Sequence, residues 1–488
     1  MSPLQFVALL LALLGPLLAL AGLLRLPASL LLFAAGLATA FLPGLPPLQA
    51  DPHLLTTLFL PPILYAATAR VTWHLLRHTL LPGLLAGTAV ALATILAVAA
   101  LAHWLLPDLG WPAALLLGVV AALFDTRLFH EAAGRPKVPR AIADTLKARE
   151  MAARVVALAG FALVLRTLTE GEAPAPAAAA LGIAWSLLGG ALAGLAIGRA
   201  VVWLRGWADP PPVEIAVSIA TPYLCALAAA WLGLSVVVLV MAAALTVSAA
   251  RVDRETGAPG TSPEARISAV AFWEAASLLA SSLLYLLAGR ALPGALVALD
   301  DWPLWRTAGA AAAILALVLA IEFLADLASA AEADRTGVGR RRAATAAVMA
   351  WASTRSVIGL IVALSVPAMP GFTEARDLVL VVATLMVLGS VLLQGVTLGP
   401  AVRAAALGDA GEEQREQDLA VRAAREAAAE AGDNADTLAA ARRASVRLRE
   451  EDRIGDEVLH KTLRETDIKA RAAEGPAAAL PGAGPPNP

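Results

Sequence analysis

Apolar stretches close to bilayer-spanning length, roughly 20 residues for a hydrocarbon core of about 30 Å, follow one another from the N-terminus to about residue 401. Cut at the polar breaks and prolines, the pattern predicts thirteen spans, near 4–24, 27–43, 54–69, 79–105, 111–128, 141–168, 177–204, 212–232, 235–250, 267–290, 305–329, 343–366 and 378–401. No stretch alternates apolar and polar residues as a barrel strand does, and unpaired backbone is not tolerated in hydrocarbon, so the spans are expected to be helices. The first run, Leu4 to Leu24, lacks a basic leader and a clear cleavage site and passes almost directly into the second; it reads as a retained helix.

Two spans carry internal marks. Pro61 and Pro62 fall inside LFLPPILYAATA and remove backbone donors in mid-span, which predicts a broken helix lining a cavity. GGALAGLAIG sets Gly190, Gly194 and Gly198 four residues apart, a face that lets another helix approach closely, either within the chain or across a dimer seam. From Arg403 the pattern changes to Ala, Glu, Arg and Asp with both signs of charge interspersed, predicting a helical cytosolic tail. The final stretch, GPAAALPGAGPPNP, is expected to be disordered. The boundaries are 1–402 for the transmembrane part, 403–475 for the tail and 476–488 for the disordered end.

Composition agrees: 59% of the 488 residues are hydrophobic and 16% charged, with a mean hydropathy of +0.72, which excludes a soluble domain of this length. The net charge of −2 decides nothing. The loops after odd-numbered spans carry Arg70 and Arg77, then Arg135, Lys137 and Arg140, then Arg199 and Arg205, then Arg251 and Arg254, then Arg340, Arg341 and Arg342, whereas even-numbered ones are poor in Lys and Arg. Positive loops stay inside, so the N-terminus is expected outside and the tail in the cytoplasm. The lone Cys225 cannot form an internal disulfide and reads as a small packed hydrophobe. No nucleotide-binding loop, metal-ligand cluster or nucleophile motif occurs. An enzyme, a cofactor and a nucleic-acid partner are therefore not expected.

Charges at bilayer depth cost about 2.5–3.5 kcal/mol each on insertion scales, so each asks for a reason. Asp125, then Arg149, Glu150 and Arg154, then Glu274, then Glu322 and Asp326, and Arg355 all fall in or beside apolar spans. Paired, they could hold the bundle in register. A carboxylate that binds either a proton or a cation couples two fluxes through competition at one site, and Asp125 is the best candidate for that chemistry. Glu322 and Asp326, four apart, share a helical face and fit either a proton relay or a solvated cytoplasmic end. Glu274, beside Phe272 and Trp273, fits an interfacial anchor or a buried pair.

Several segments carry a family resemblance. LPPILYAA at 60–67, GVVAALFD at 118–125, TPYLCALAAAWLGLS at 221–235, FWEAASLLASSLLYLLAG at 272–289, WASTRSVIGLIVALSVP at 351–367 and RIGDEVLHKTLRETDIKARA at 453–472 together resemble the sodium/proton antiporters of the cation:proton antiporter superfamily, the bacterial relatives of the animal sodium/hydrogen exchangers. The resemblance implies an inverted-repeat bundle with a dimerisation part and a core whose crossed, unwound helices hold the ion site. It also implies a homodimer in the plasma membrane exchanging a monovalent cation, most often sodium, for protons. Asp125 matches the family's core aspartate and Arg355 its arginine.

The family's ion site also has an asparagine–aspartate pair, with a glutamate five residues before the aspartate that pairs with the arginine. Counted without a gap from Asp125, and with Pro139 holding the register, these positions are Ala153, Arg154 and Arg149. A threonine usual before the first aspartate is Phe124, and a glycine beside Ser235 is Val236. Arg154 stays protonated at any accessible pH and cannot alternate between proton and sodium. Three readings follow. Arg154 pairs with Asp125 in a transport-weak or regulatory homologue; Asp125, helped by Glu150, still exchanges a cation for protons; or Arg154 binds an anion or organic acid. Arg355 could keep the family's ion pair with Glu150, its partner shifted by one residue.

Overall fold

The computed structural model describes residues 3–24, 27–42, 52–69, 71, 80–126, 140–170, 176–207, 211–250, 263–299, 302–333, 342–405, 411–431 and 434–474. The Pro/Gly-rich end at 476–488 and most of the loop cations that set the expected topology, among them Arg77, Arg135, Lys137, Arg251 and Arg254, lie outside these residues. In chain order the helices are α1 (Pro3–Leu24), α2 (Ala28–Ala40), α3 (Pro52–Thr68), α4 (Leu80–Leu105), α5 (Gly110–Ala122), α6 (Arg140–Glu170), α7 (Pro176–Arg205), α8 (Pro211–Leu232), α9 (Val236–Ala249), α10 (Pro263–Val297), α11 (Leu304–Ala333), α12 (Arg342–Ala352), α13 (Val357–Leu364), α14 (Thr373–Ala404), α15 (Glu412–Ala431), α16 (Asn434–Glu450) and α17 (Asp456–Glu474). Two extended segments, β1 (Phe124–Asp125) after α5 and β2 (Thr354–Arg355) between α12 and α13, complete the described elements. Among the described residues, seven helices are long and apolar enough to cross a membrane and six shorter helices are apolar.

α3 departs from expectation. Pro61 and Pro62 lie inside one uninterrupted helix. Proline fixes φ near the helical value, so only the donors toward the preceding turn are lost, and burial of Ile63, Leu64 and Tyr65 keeps the segment helical. The real breaks fall at β1 and β2, inside runs whose apolar pattern is continuous.

The chain forms two compact units, one of Met1–Ile63, Thr79–Ile183 and Ser277–Asp409 and one of Leu64–His78, Ala184–Ala276 and Ala410–Pro488. In the second unit the glycine stripe of α7 faces α9. A Cβ at Gly190 would lie 3.2 Å from the Ser235 carbonyl, one at Gly194 would meet Ala242 at 2.7 Å, and one at Gly198 would meet Thr246 at 2.6 Å. The stripe is thus an intramolecular seam, closed at one end by the Ser235 amide donating to the Ser186 carbonyl at 3.1 Å. Elsewhere in that unit Tyr65 lies against Trp273, centroids 4.8 Å apart, and the Trp273 indole donates to Ser218 at 3.0 Å. The helices α15–α17 share a core of Ala420, Leu448, Ile454, Val458 and Leu459. Arg449 is buried among them and bonds Asp456 at 2.5 Å.

The first unit holds α4, α5, α6 and α11–α14. Gly118 of α5 lies against the Ile95 backbone of α4, and a Cβ at Gly87 of α4 would meet Ala152 of α6 at 2.8 Å and the Arg149 Cα at 3.0 Å. These approaches press the charged stretch of α6 toward the end of α5. Replacing Gly194 with Leu is expected to cost about 1–3 kcal/mol through overpacking and to lower the thermal midpoint in detergent by several degrees. Gly182→Leu, with open space around it, should leave the midpoint within a degree or so of the parent.

Candidate functional site

α5 stops at Ala122 and α12 at Ala352, and the chain after each runs extended, pairing antiparallel with Phe124 opposite Arg355 and Asp125 opposite Thr354. Ending helices inside an apolar bundle strands amides and carbonyls that cost several kcal/mol apiece if unmet. Here they are met. The Ser356 amide donates to the Leu123 carbonyl at 3.1 Å, and the Thr354 hydroxyl donates to the Asp125 carbonyl at 2.8 Å. The Arg355 amide donates to the Ser390 hydroxyl at 2.8 Å, and the Gln394 amide group donates to the Trp351 carbonyl at 3.0 Å. The Ser356 hydroxyl caps α13 by accepting from the Ile358 amide at 3.2 Å.

The Arg355 guanidinium does most to close the crossing. It donates to the carbonyl of Ala121 at the end of α5, to that of Ser353 after α12 at 2.6 Å and to the Glu322 carboxylate at 2.7 Å. It also lies 5.7 Å from the centre of the Phe124 ring. A cation at two helix C-termini is favoured by their dipoles, and Glu322 balances its charge.

α6 supplies the remaining charges. Arg154 is ion-paired with Glu150 one turn earlier and has Asp125 at 3.8 Å. Glu150, completely buried, also accepts from the Thr126 hydroxyl at 2.7 Å and has the Lys147 ammonium at 3.6 Å. Arg149 points the other way and pairs with Asp326. Ala153 packs with Ala91 and Phe124, so two positions where the resemblance leads one to expect polar groups instead form an apolar contact beside Asp125; the ring fits because residue 153 is small.

The five ionisable residues singled out on β1, α6 and β2, namely Asp125, Arg149, Glu150, Arg154 and Arg355, thus sit in one network with Glu322 and Asp326. Two expectations are corrected. Arg355 pairs with Glu322 and not with Glu150, because Arg154 lies one turn along the same helix and occupies that carboxylate. Glu322 and Asp326 are not at a solvated helix end; both are buried, each on its own guanidinium. Glu274 lies outside the network, on an exposed face of α10. Sequence reasoning overlooked Thr126, Lys147, Ser390 and Gln394. Two of these had a signal: Ser390 and Gln394 are polar and four apart within the long apolar run of α14.

Residues 9–404 match the family profile described as "Sodium/hydrogen exchanger, transmembrane". The chain belongs to the sodium/hydrogen exchanger family. An uncharacterised sodium/proton exchanger of Mycobacterium tuberculosis is 30% identical over 391 residues, covering 76% of this chain and 69% of its own length. The sodium/proton antiporter NhaP of Pseudomonas aeruginosa is 29% identical over 359 residues, 72% of this chain and 81% of its own. In fold, this exchanger resembles the sodium proton antiporter MjNhaP1 from Methanocaldococcus jannaschii, with a TM-score of 0.63 at 15% identity over 83% of this chain and 99% of the other. It is a multi-pass membrane protein of a transporter family.

Removing the Arg355 side chain leaves Glu322 buried and uncompensated and strips two carbonyls of their donor. Arg355→Met should therefore destabilise the exchanger by about 3–5 kcal/mol, read as thermal unfolding in detergent, and Arg355→Met/Glu322→Met should recover part of that loss.

Proposed function

We propose that this protein exchanges a monovalent cation, sodium foremost, for protons across a bacterial plasma membrane, and that Asp125 carries the exchanged ion. One observation supports this most: beside the unwound crossing, two buried carboxylates, Glu150 and Asp125, converge on the single guanidinium of Arg154. Glu322 and Asp326 each have an arginine, whereas Glu150 and Asp125 share Arg154. Glu150 is held by Arg154 and Thr126, and Asp125 has the looser hold on the shared guanidinium. A proton or a monovalent cation can therefore compete with that loose contact at Asp125, and competition between them couples the fluxes. Glu150 acts as the anchor that keeps Arg154 back.

Family membership supports a homodimer, to which the outward leucines and tryptophans of α7, such as Leu188, Leu192 and Trp203, offer an apolar face, and an exchanger domain over 1–402; the loop cations support a cytoplasmic tail over 403–475 with the N-terminus outside.

The second reading, a transport-inactive or regulatory homologue, draws on the same Arg154, which faces both carboxylates and cannot lose its charge. An anion or organic-acid carrier has less support, because that guanidinium is already committed to Glu150. Proton movement in proteoliposomes under an imposed pH gradient separates them. With sodium, lithium or potassium added, the parent should dissipate the gradient and Asp125→Asn should lose most of that rate, because the amide has no charge to trade between proton and cation. A parent that responds to none of the three cations would favour the inactive reading.

A further inference from the structure

Lys147 has no part in exchange as described, yet it extends the site. Lys147, Glu150 and Arg154 are three and four residues apart and share a face of α6, and Asp125 adjoins Arg154. The signs alternate along this row. Lys147 stands 3.6 Å from Glu150 with a quarter of its side chain exposed, and Arg154 pairs with Glu150 while lying 3.8 Å from Asp125. With Lys147 included, the four carboxylates face four bases.

Strict exchange requires that an empty carrier be unable to change its exposure. A bare carboxylate in a low-dielectric passage supplies that barrier, and only a proton or a cation lifts it. In this site the barrier can be lifted from within. Arg154 needs to move only from Glu150 toward Asp125, while Glu150 keeps Thr126 and Lys147 on its other oxygen, Oε2. Asp125 is then neutralised with no ion bound.

We propose that Arg154 acts as a tethered cation that lets the empty site change its exposure, so that the protein also carries a monovalent cation one way, down the membrane potential, without a returning proton. The proposal rests on the reading of Asp125 as carrier. The loaded site holds one charge more than the empty one, so one-way movement carries current, whereas exchange of one cation for one proton carries none.

The test is radioactive sodium uptake into phosphatidylcholine–phosphatidylglycerol liposomes holding the full chain. The pH is equal and strongly buffered on both sides, and an inside-negative potassium diffusion potential is set with valinomycin. Initial uptake is expected to rise several-fold as the potential is made more negative. Exchange driven by a pH gradient is measured on the same preparation. Arg154→Gln, and independently Lys147→Gln at the partly exposed rim where folding is least at risk, should each lower the ratio of potential-driven uptake to exchange several-fold. Uptake indifferent to potential while exchange proceeds overturns the one-way activity and leaves the exchange reading standing. Potential-driven uptake unchanged in both variants overturns the role given to Arg154. Absence of both movements with sodium, lithium and potassium overturns the carrier reading together with this one.

Discussion

Two helices that end in mid-bundle can be tolerated only if something answers their stranded backbone groups, and in this protein that is chiefly the Arg355 guanidinium. It bonds a carbonyl from each broken helix and a carboxylate from a third. The extended segments can then pair, which puts Asp125 opposite Thr354. Ser390 and Gln394 of α14 hold the same stretch from the far side. Because these bonds join specific donors and acceptors, the crossing is fixed in register, and the position of Asp125 follows from it. A lysine at position 355 could not make these contacts together, since a compact ammonium lacks the fork of the guanidinium.

Around that crossing the charges are distributed unevenly. α11 offers Glu322 and Asp326, each paired with one arginine. α6 offers a single guanidinium to Glu150 and Asp125. That sharing is what the proposed ion chemistry draws on. Phe124 and Ala153 keep the flank of Asp125 apolar, which leaves the carboxylate and its charged neighbours to define the site. The arginine at position 154 thus sits between two carboxylates, close on Glu150 and looser on Asp125.

Much of the architecture was legible from the chain. Apolar runs near the bilayer length mark the helices because lipid imposes that length. The breaks at β1 and β2 were not visible in the apolar pattern, since GVVAALF and AWASTRSV stay suited to a buried setting in either conformation, and what unwinds them is a partner more than 200 residues away, as Phe124 and Arg355 show. The proline pair pointed to α3 for the opposite reason: it removes donors but leaves φ helical. Asp125, Arg149, Glu150, Arg154 and Arg355 stood out because charge in lipid is costly. Their pairings did not, because Arg149 and Asp326 lie 177 residues apart. Two bases on α6 and two acids four apart on α11 were the available sign of mutual compensation, yet Glu322 and Asp326 read equally well as a solvated end.

The claim on which everything else turns is that one carboxylate of the buried network stands ready to trade a proton for a cation. Proton release on adding sodium to the detergent-solubilised protein in weakly buffered solution measures this directly, free of membrane leak and orientation. Close to one proton per protomer is predicted, released over the pH range where Asp125 competes for both ions. No release at any pH between mildly acid and mildly alkaline, with lithium and potassium equally silent, would contradict the account.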